Sequence, residues 1–228
     1  MHLQLLIPGM LWPSVQARGY ADALPLPALN LLLARGQTRR KMPESPEQAL
    51  RRLFKLAGSE RTDASVRRLG EADGLRMTDT VMCADPVHLH FAGDHLLLAD
   101  ASGLDIQPDE ADALVASLNK AFSQVGRFEA PAPHRWYLYP AKPPTARFVP
   151  LGDVISRPVA HFVPTGDDAR MWHRVMNDIQ VHLHNHPLNA AREARGQRSI
   201  NSVWLWGAGT LPSPLPTPAP ALAMHSPL

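Results

Sequence analysis

One cysteine, Cys83, is all the thiol chemistry this sequence has, so no intrachain disulfide is available and a reducing compartment fits. Long hydrophobic runs are missing too: no stretch approaches the roughly 20 apolar residues that cross a bilayer. The opening MHLQLLIPGMLWP is apolar but has no basic segment before it, and Pro8 interrupts it early. That excludes the pattern of a secretory signal and makes the cytoplasm the expected location. Charge of one sign is nearly absent in the balance: a net +2 is too small to argue for nucleic acid or a membrane surface as a partner. There is no G-x-S-x-G elbow, P-loop, dinucleotide fingerprint or H-E-x-x-H pair, which removes the usual sequence signals of nucleophilic, nucleotide and zinc-protease chemistry.

What is present is a globular composition, 45% apolar and 19% charged over 228 residues. The basic charge is almost all arginine, which favours fixed, forked contacts to anions over mobile lysine charge. Leu3 to Ile7 reads as a buried first strand stopped by Pro8-Gly9. Helices are expected from Leu26-Pro27 to Gly36 with Leu29, Leu32 and Leu33 as the apolar stripe, from Pro46 to Ala57, and from Thr62 to Glu71. Arg51, Arg52, Arg67 and Arg68 on the latter two read as solvated helix faces.

From Thr80 the period changes to two. Val81 to Ala84, Val87 to Phe91 and His95 to Ala99 read as strands, the last two joined at Gly93-Asp94. A helix opens at Pro108 with Ala113, Leu114, Leu118 and Phe122 inward, and Phe128 and His134 to Tyr139 supply more strand. Asp167 is placed to cap a helix running to about His184. The order of elements predicts an α/β (mixed α+β) layered sheet with helices. Three regions are expected: 1–76, a strand and helical segment; 77–210, an α/β domain; and 211–228, a proline-rich tail that cannot build a core and is expected to be extended or disordered.

The densest stretch is His186 to Gly209, HPLNAAREARGQRSINSVWLWGAG. It reads as a helix stop, a short helix closed by Gly196, and an apolar strand ending in Gly207-Ala-Gly209. Asn189, Arg192, Arg195, Asn201, Gly207 and Gly209 are its candidate ligand groups; the competing reading is that they brace the helix-to-strand turn. Asp85 and His88 join them, because His88 and His90 share a strand face that could hold a metal or an anion. His182 and His186 share a helix face, but surface or capping histidines are the simpler reading there. Cys83 has no basic neighbour in sequence to activate it and reads as a buried structural thiol.

These segments together resemble a known group. MHLQLLIPGMLWP, LPLPALNLLLARG, CADPVHLHF with LLLADASGLDI, and the His186–Gly209 stretch are similar to the RpfE-type regulatory proteins of proteobacteria. In the same order they resemble the archaeal-type cofactor-independent phosphoglycerate mutases of the alkaline phosphatase superfamily, over roughly residues 1 to 210. The resemblance implies a truncated mutase core strand with its inserted substrate domain. His186–Gly209 would be the segment that returns to the metal-dependent core.

The departures from the mutase pattern govern the functional expectation. Pro8 stands before Gly9 where the enzymes carry a metal-binding aspartate. Cys83 replaces an arginine, Asp85 an asparagine, and Ala101 and Asp105 replace two arginines of a phosphate-recognising segment, here Asp100 to Ile106. Beyond Gly209, where the enzymes bring further ligands and sheet, this sequence has prolines. A phosphorylated three-carbon acid carries about three negative charges and is held by arginine forks, so Asp105 turns attraction into repulsion. The expectation is a non-catalytic regulatory or adaptor protein with no cofactor, acting through a protein partner. The alternative is a mutase-like phosphotransferase, or a binder of small phosphorylated acids, using Mn or Zn and clamping anions with Arg192 and Arg195. An uncovered Trp204/Trp206 strand would expose an apolar edge and favour self-association.

Overall fold

The computed structural model describes residues 26–37, 39, 46–54, 56, 63–71 and 79–211, which fall in two units, within 1–50 and 51–228. The expected strand at Leu3–Ile7 and the tail beyond 211 lie outside the described residues. Helix α1 (Pro27–Arg35) starts at its N1 proline and buries none of its residues; Leu32 and Leu33 are exposed. Helix α2 is Pro46–Leu53, four residues shorter than the expected span, and α3 is Asp63–Leu69.

The second unit is a mixed α/β structure around a five-stranded antiparallel sheet. Its strands are β1 (Val81–Ala92), β2 (His95–Ala99), β3 (Gly126–Ala132), β4 (Arg135–Pro140) and β5 (Ser202–Gly209), in the order β2-β1-β4-β3 with β5 also paired to β1. The helices are α4 (Pro108–Ala121), α5 (Ala169–His184) and α6 (Pro187–Ala194). One twelve-residue strand replaces the two expected on either side of Asp85-Pro86. Proline has no N–H for a ladder, and Pro86 falls between the span paired with β4 (82–83) and that paired with β2 (88–92). Against β5 it sits opposite Val203 without breaking the register.

Both faces of the sheet are covered, so its central strands read as apolar runs and not as strict alternation. Met82, Ala84, Trp136, Leu138, Val203 and Leu205 face one core with Leu114 and Leu118 of α4 and Ile179 and Leu183 of α5. Val81, Cys83, Val87, Tyr137, Trp204 and Trp206 face the other, beneath Ala64 of α3 and Val154. Every residue of β5 is buried, with α3 and α5 packed on it, so Trp204 and Trp206 present no exposed edge. On α4 the inward positions are Ala111, Leu114, Val115 and Leu118, and Ala113 is exposed, which rotates the stripe slightly from the expected one.

Glu110 at the third position of α4 accepts from the Gln107 backbone N–H at 3.1 Å, closing its first turn. The residue at the start of α5 is Asp168, not Asp167. Its carboxylate accepts from Thr145 N and Trp172 Nε1, tying helix to loop instead of capping the helix. Helix α6 ends as expected. Gly196 takes φ +73°, its N–H bonds Glu193 O at 2.9 Å, and Gln197 N bonds Arg192 O at 3.0 Å, the paired bonds of a Schellman stop.

Candidate functional site

The sheet's two-residue period places Cys83 and Asp85 of β1, Arg135, Tyr137 and Tyr139 of β4, and Trp204 and Trp206 of β5 on one face. Helix α3 lies over this face because β5 makes room for it. Gly207 has φ +65°, and β5 spends one extra residue there while β1 advances from Val81 to Cys83, a bulge. A Cβ on Gly207 would stand 3.1 Å from both Ala64 N and Asp63 Cβ at the start of α3. The close approach that this glycine allows is to a helix of the same chain.

From α3, two consecutive arginines enter the sheet face. Arg67 grips Asp85 with both ends of its guanidinium, Nη1 to Oδ2 at 2.9 Å and Nη2 to Oδ1 at 2.7 Å, and donates from Nε to the Tyr137 hydroxyl at 3.0 Å. Its plane lies over the rings of Tyr137 (4.8 Å) and Trp206 (5.5 Å). Trp206 Nε1 adds a third donor to Asp85, at 2.7 Å to Oδ2. Arg68 donates to the Tyr139 hydroxyl and to Glu129 Oε2. Arg67 and Arg68 are therefore not solvated, contrary to the sequence expectation, and neither is Arg51, which pairs with Asp63 at 2.7 Å; only Arg52 of the four is exposed. Aromatic faces and carboxylates on the sheet supply what charged helix residues would otherwise find in water.

A second pair borders the first. Arg135 holds Glu71 through Nε to Oε1 at 2.8 Å and Nη2 to Oε2 at 3.2 Å, and Tyr137 donates its hydroxyl to the same Oε1 at 3.0 Å. Burial would raise the Glu71 carboxyl, but the hydrogen bonds from Arg135 and Tyr137 outweigh it and hold the group below the usual carboxylate range. Burial pushes the Tyr137 hydroxyl up, and pushes the Cys83 thiol well up despite the nearby Arg67 cation. Cys83, fully buried, carries no thiolate character at neutral pH.

Arg67, Asp85, His134 and Arg135 line a cleft of about 480 Å³ together with Asp100, Ala101, Ser102, Asp105 and Ile106. Asp100 accepts from Ser102 Oγ at 2.7 Å and Asp105 from Gln107 Nε2 at 3.0 Å, so neither is paired with an arginine in these contacts. Asp105 holds φ +45°, a left-handed turn that sets its segment against the cleft.

Of the candidate ligand residues named from the sequence, only Asp85 lines this cleft. His88 donates from Nδ1 to Ser199 O (2.9 Å) and stacks on His90 at 5.5 Å between centroids. Asn189 donates to Leu183 O and Ile200 O and accepts from Ile200 N. Arg192, wholly buried, donates to Glu110, to Leu104 O and to Arg198 O. Arg195 reaches Glu110 Oε1 at 3.0 Å and Gln197. Asn201 exchanges two hydrogen bonds with the backbone of Leu89, at 2.7 and 2.8 Å, and so prolongs the β5 ladder by one step with a side chain. Gly209 pairs with Val81. His186 accepts from Leu188 N as the cap of α6, and His182 bonds Ser117. Among the described residues no three His, Cys, Asp or Glu side chains converge as a metal would need. No described helix is long and apolar enough to cross a membrane. Sequence reasoning missed Arg67, Glu71, His134 and Arg135. The alternation in Arg135-Trp-Tyr-Leu-Tyr139 puts three of the polar groups on one face, but nothing local says that α3 covers them.

Acid should destabilise this arrangement in two stages. Burial lowers the His88 imidazole below its ordinary 6.5, so the unfolded chain takes up its proton first. The stability that His88 contributes is complete above that value and is lost as pH falls through its lower folded value. Glu71 follows: its contribution is complete above the ordinary 4.5 and is lost as pH falls through its depressed folded value. Urea unfolding midpoints measured across acid pH are expected to decline below 6.5 and again below 4.5; a midpoint that stays level from neutrality into the second window contradicts both assignments.

The chain is similar in sequence to cofactor-independent phosphoglycerate mutases and shares a mixed α/β fold with one of them. No protein-family model matches the chain. The sequence is 25% identical over 205 residues to a 2,3-bisphosphoglycerate-independent phosphoglycerate mutase of Methanosarcina mazei, covering 86% of this chain and 51% of that protein. It is 30% identical over 119 residues to a second such mutase, of Methanothermobacter thermautotrophicus, covering 51% of this chain and 30% of that protein. With the mutase of Methanothrix thermoacetophila it shares 36% identity over 64 residues, 28% of this chain and 16% of that one. The solved cofactor-independent phosphoglycerate mutase of Thermoplasma acidophilum has the same fold at a TM-score of 0.50 and 14% identity, over 75% of this chain and 48% of its own. The chain thus spans about half the length of the relatives it matches most extensively.

Proposed function

We propose that this chain is a non-catalytic regulatory or adaptor protein of the RpfE type, cytoplasmic, working through a protein partner on a mutase-like scaffold. The observation that carries the reading is the charge of the cleft. Its Arg67 fork is filled by Asp85, its Arg135 fork by Glu71, and its lining offers Ala101 and Asp105 where the mutase pattern has arginines. A phosphorylated acid entering it meets carboxylates before it meets a free guanidinium. Pro8, which has no ligating atom, stands where the mutase pattern carries a metal-binding aspartate, and this supports the same reading.

The second reading, a binder or phosphotransferase of small phosphorylated acids, rests on His134, Arg67 and Arg135 bordering one cleft large enough for a three-carbon ligand. Thermal melting with 3-phosphoglycerate, with and without manganese, separates the two. The proposal expects no saturable rise in Tm and no isomerisation of the phosphoglycerate. A saturable, manganese-dependent rise with turnover overturns it in favour of the second reading.

A further inference from the structure

Asp85 is held as a ligand is held. Three donors converge on its two oxygens, Arg67 Nη1 and Nη2 and Trp206 Nε1, all within 2.9 Å. The carboxylate is nearly sealed from water (3% exposed), yet it borders the cleft. The donors do not depend on it for their placement. Arg67 is anchored independently by its Nε bond to Tyr137 and by its stacking between the Tyr137 and Trp206 rings, and Trp206 is fixed in the middle of β5. A fork plus an indole N–H, preset and lying against a cleft of about 480 Å³, is a cradle for a small oxyanion.

We propose that this cradle is an oxyanion site, of the class that takes a carboxylate or a phosphate, and that Asp85 is its resident anion. In the chain as it stands the site is self-occupied, and free anions are refused both by the filled fork and by the charge of Asp85. The inference rests on the non-catalytic reading above, and it adds a cause: recognition geometry is retained while its ligand is supplied by the chain. Removing the Asp85 carboxylate while keeping the donors should therefore open the site.

The test compares the full chain with Asp85→Ala and with Asp85→Ala/Arg67→Gln, titrated with inorganic phosphate and with 3-phosphoglycerate at constant ionic strength. Asp85→Ala is expected to bind phosphate saturably, about ten times more tightly than the unaltered chain or better, and the double variant to lose that gain. A 3-phosphoglycerate response in place of the phosphate response also supports the site. Formate guards against misfolding, because it matches the deleted carboxylate. Formate, but not neutral formamide, is expected to restore Tm in Asp85→Ala and to leave Asp85→Ala/Arg67→Gln unchanged. The inference is overturned if Asp85→Ala responds to none of these anions, or if the unaltered chain binds phosphate as tightly as Asp85→Ala. Failure of the variant leaves the non-catalytic reading intact. Manganese-dependent turnover by the unaltered chain overturns that reading, while the variant comparison still decides whether the cradle is an oxyanion site.

Discussion

Arg192→Ala is expected to lower the free energy of unfolding by about 3–5 kcal/mol, the usual cost of deleting one partner of a buried charged pair. Arg192 is wholly buried, and its guanidinium serves Glu110 on α4, Leu104 O before α4 and Arg198 O ahead of β5. Without it two backbone carbonyls lose a donor, and Glu110 keeps only the Gln107 N–H and Arg195, whose side chain is more than half exposed. Arg192→Lys should restore little, because an ammonium on a flexible stem cannot reach three acceptors in one plane. Urea unfolding measures the loss. A change under about 1 kcal/mol, the size typical of exposed ion pairs, would mean that this arginine does not brace the α4–α6–β5 junction.

The next largest loss is expected for Asn189→Ala, about 2–4 kcal/mol, since a buried group left unpaired costs about 1–3 kcal/mol and the N–H and C=O of Ile200 lose this partner together. Asn189 is buried on α6 and closes a ring. Its Nδ2 donates to Leu183 O at the end of α5 (2.6 Å) and to Ile200 O (2.9 Å), while its Oδ1 accepts from Ile200 N (2.7 Å). Asn189→Asp discriminates the mechanism. An ionised carboxylate keeps the bond from Ile200 N but faces two carbonyl oxygens with no hydrogen to offer. Its unfolding midpoint should sit below that of the unaltered chain at neutral pH, with the gap narrowing in acid as the carboxyl regains a proton. An equal deficit at both pH values would point to a packing defect instead of a hydrogen-bond defect.

Much of the architecture was legible locally. The α4 start at Pro108, the Gly93-Asp94 hairpin, the α5 end at His184 and the Gly196 stop follow from dihedral preference and side-chain period. The β1 break placed at Asp85-Pro86 did not occur, because whether a proline interrupts a strand depends on where its neighbours stop, which is a non-local fact. The arginines of α3 were misread as solvated for the same kind of reason. Helix periodicity tells which residues share a side, not what that side meets, and here Arg67 and Arg68 meet aromatic rings and carboxylates from strands 18 to 71 residues away.

By itself the sequence determined the α/β class, the absence of disulfide chemistry, and the identity of His186–Gly209 as a helix, a stop and a buried strand. Tertiary structure decided which polar residues are structural and which border a cleft. Asn189, Arg192 and Asn201 look like ligand groups in a line of text, yet their hydrogen bonds close on backbone brought in by other elements. Asp85 is one acidic residue before a proline until α3 and β5 set three donors around it. Hydrogen-bond satisfaction of a buried group belongs to the assembled layers, and only those layers fix whether a donor faces its own chain or an open space.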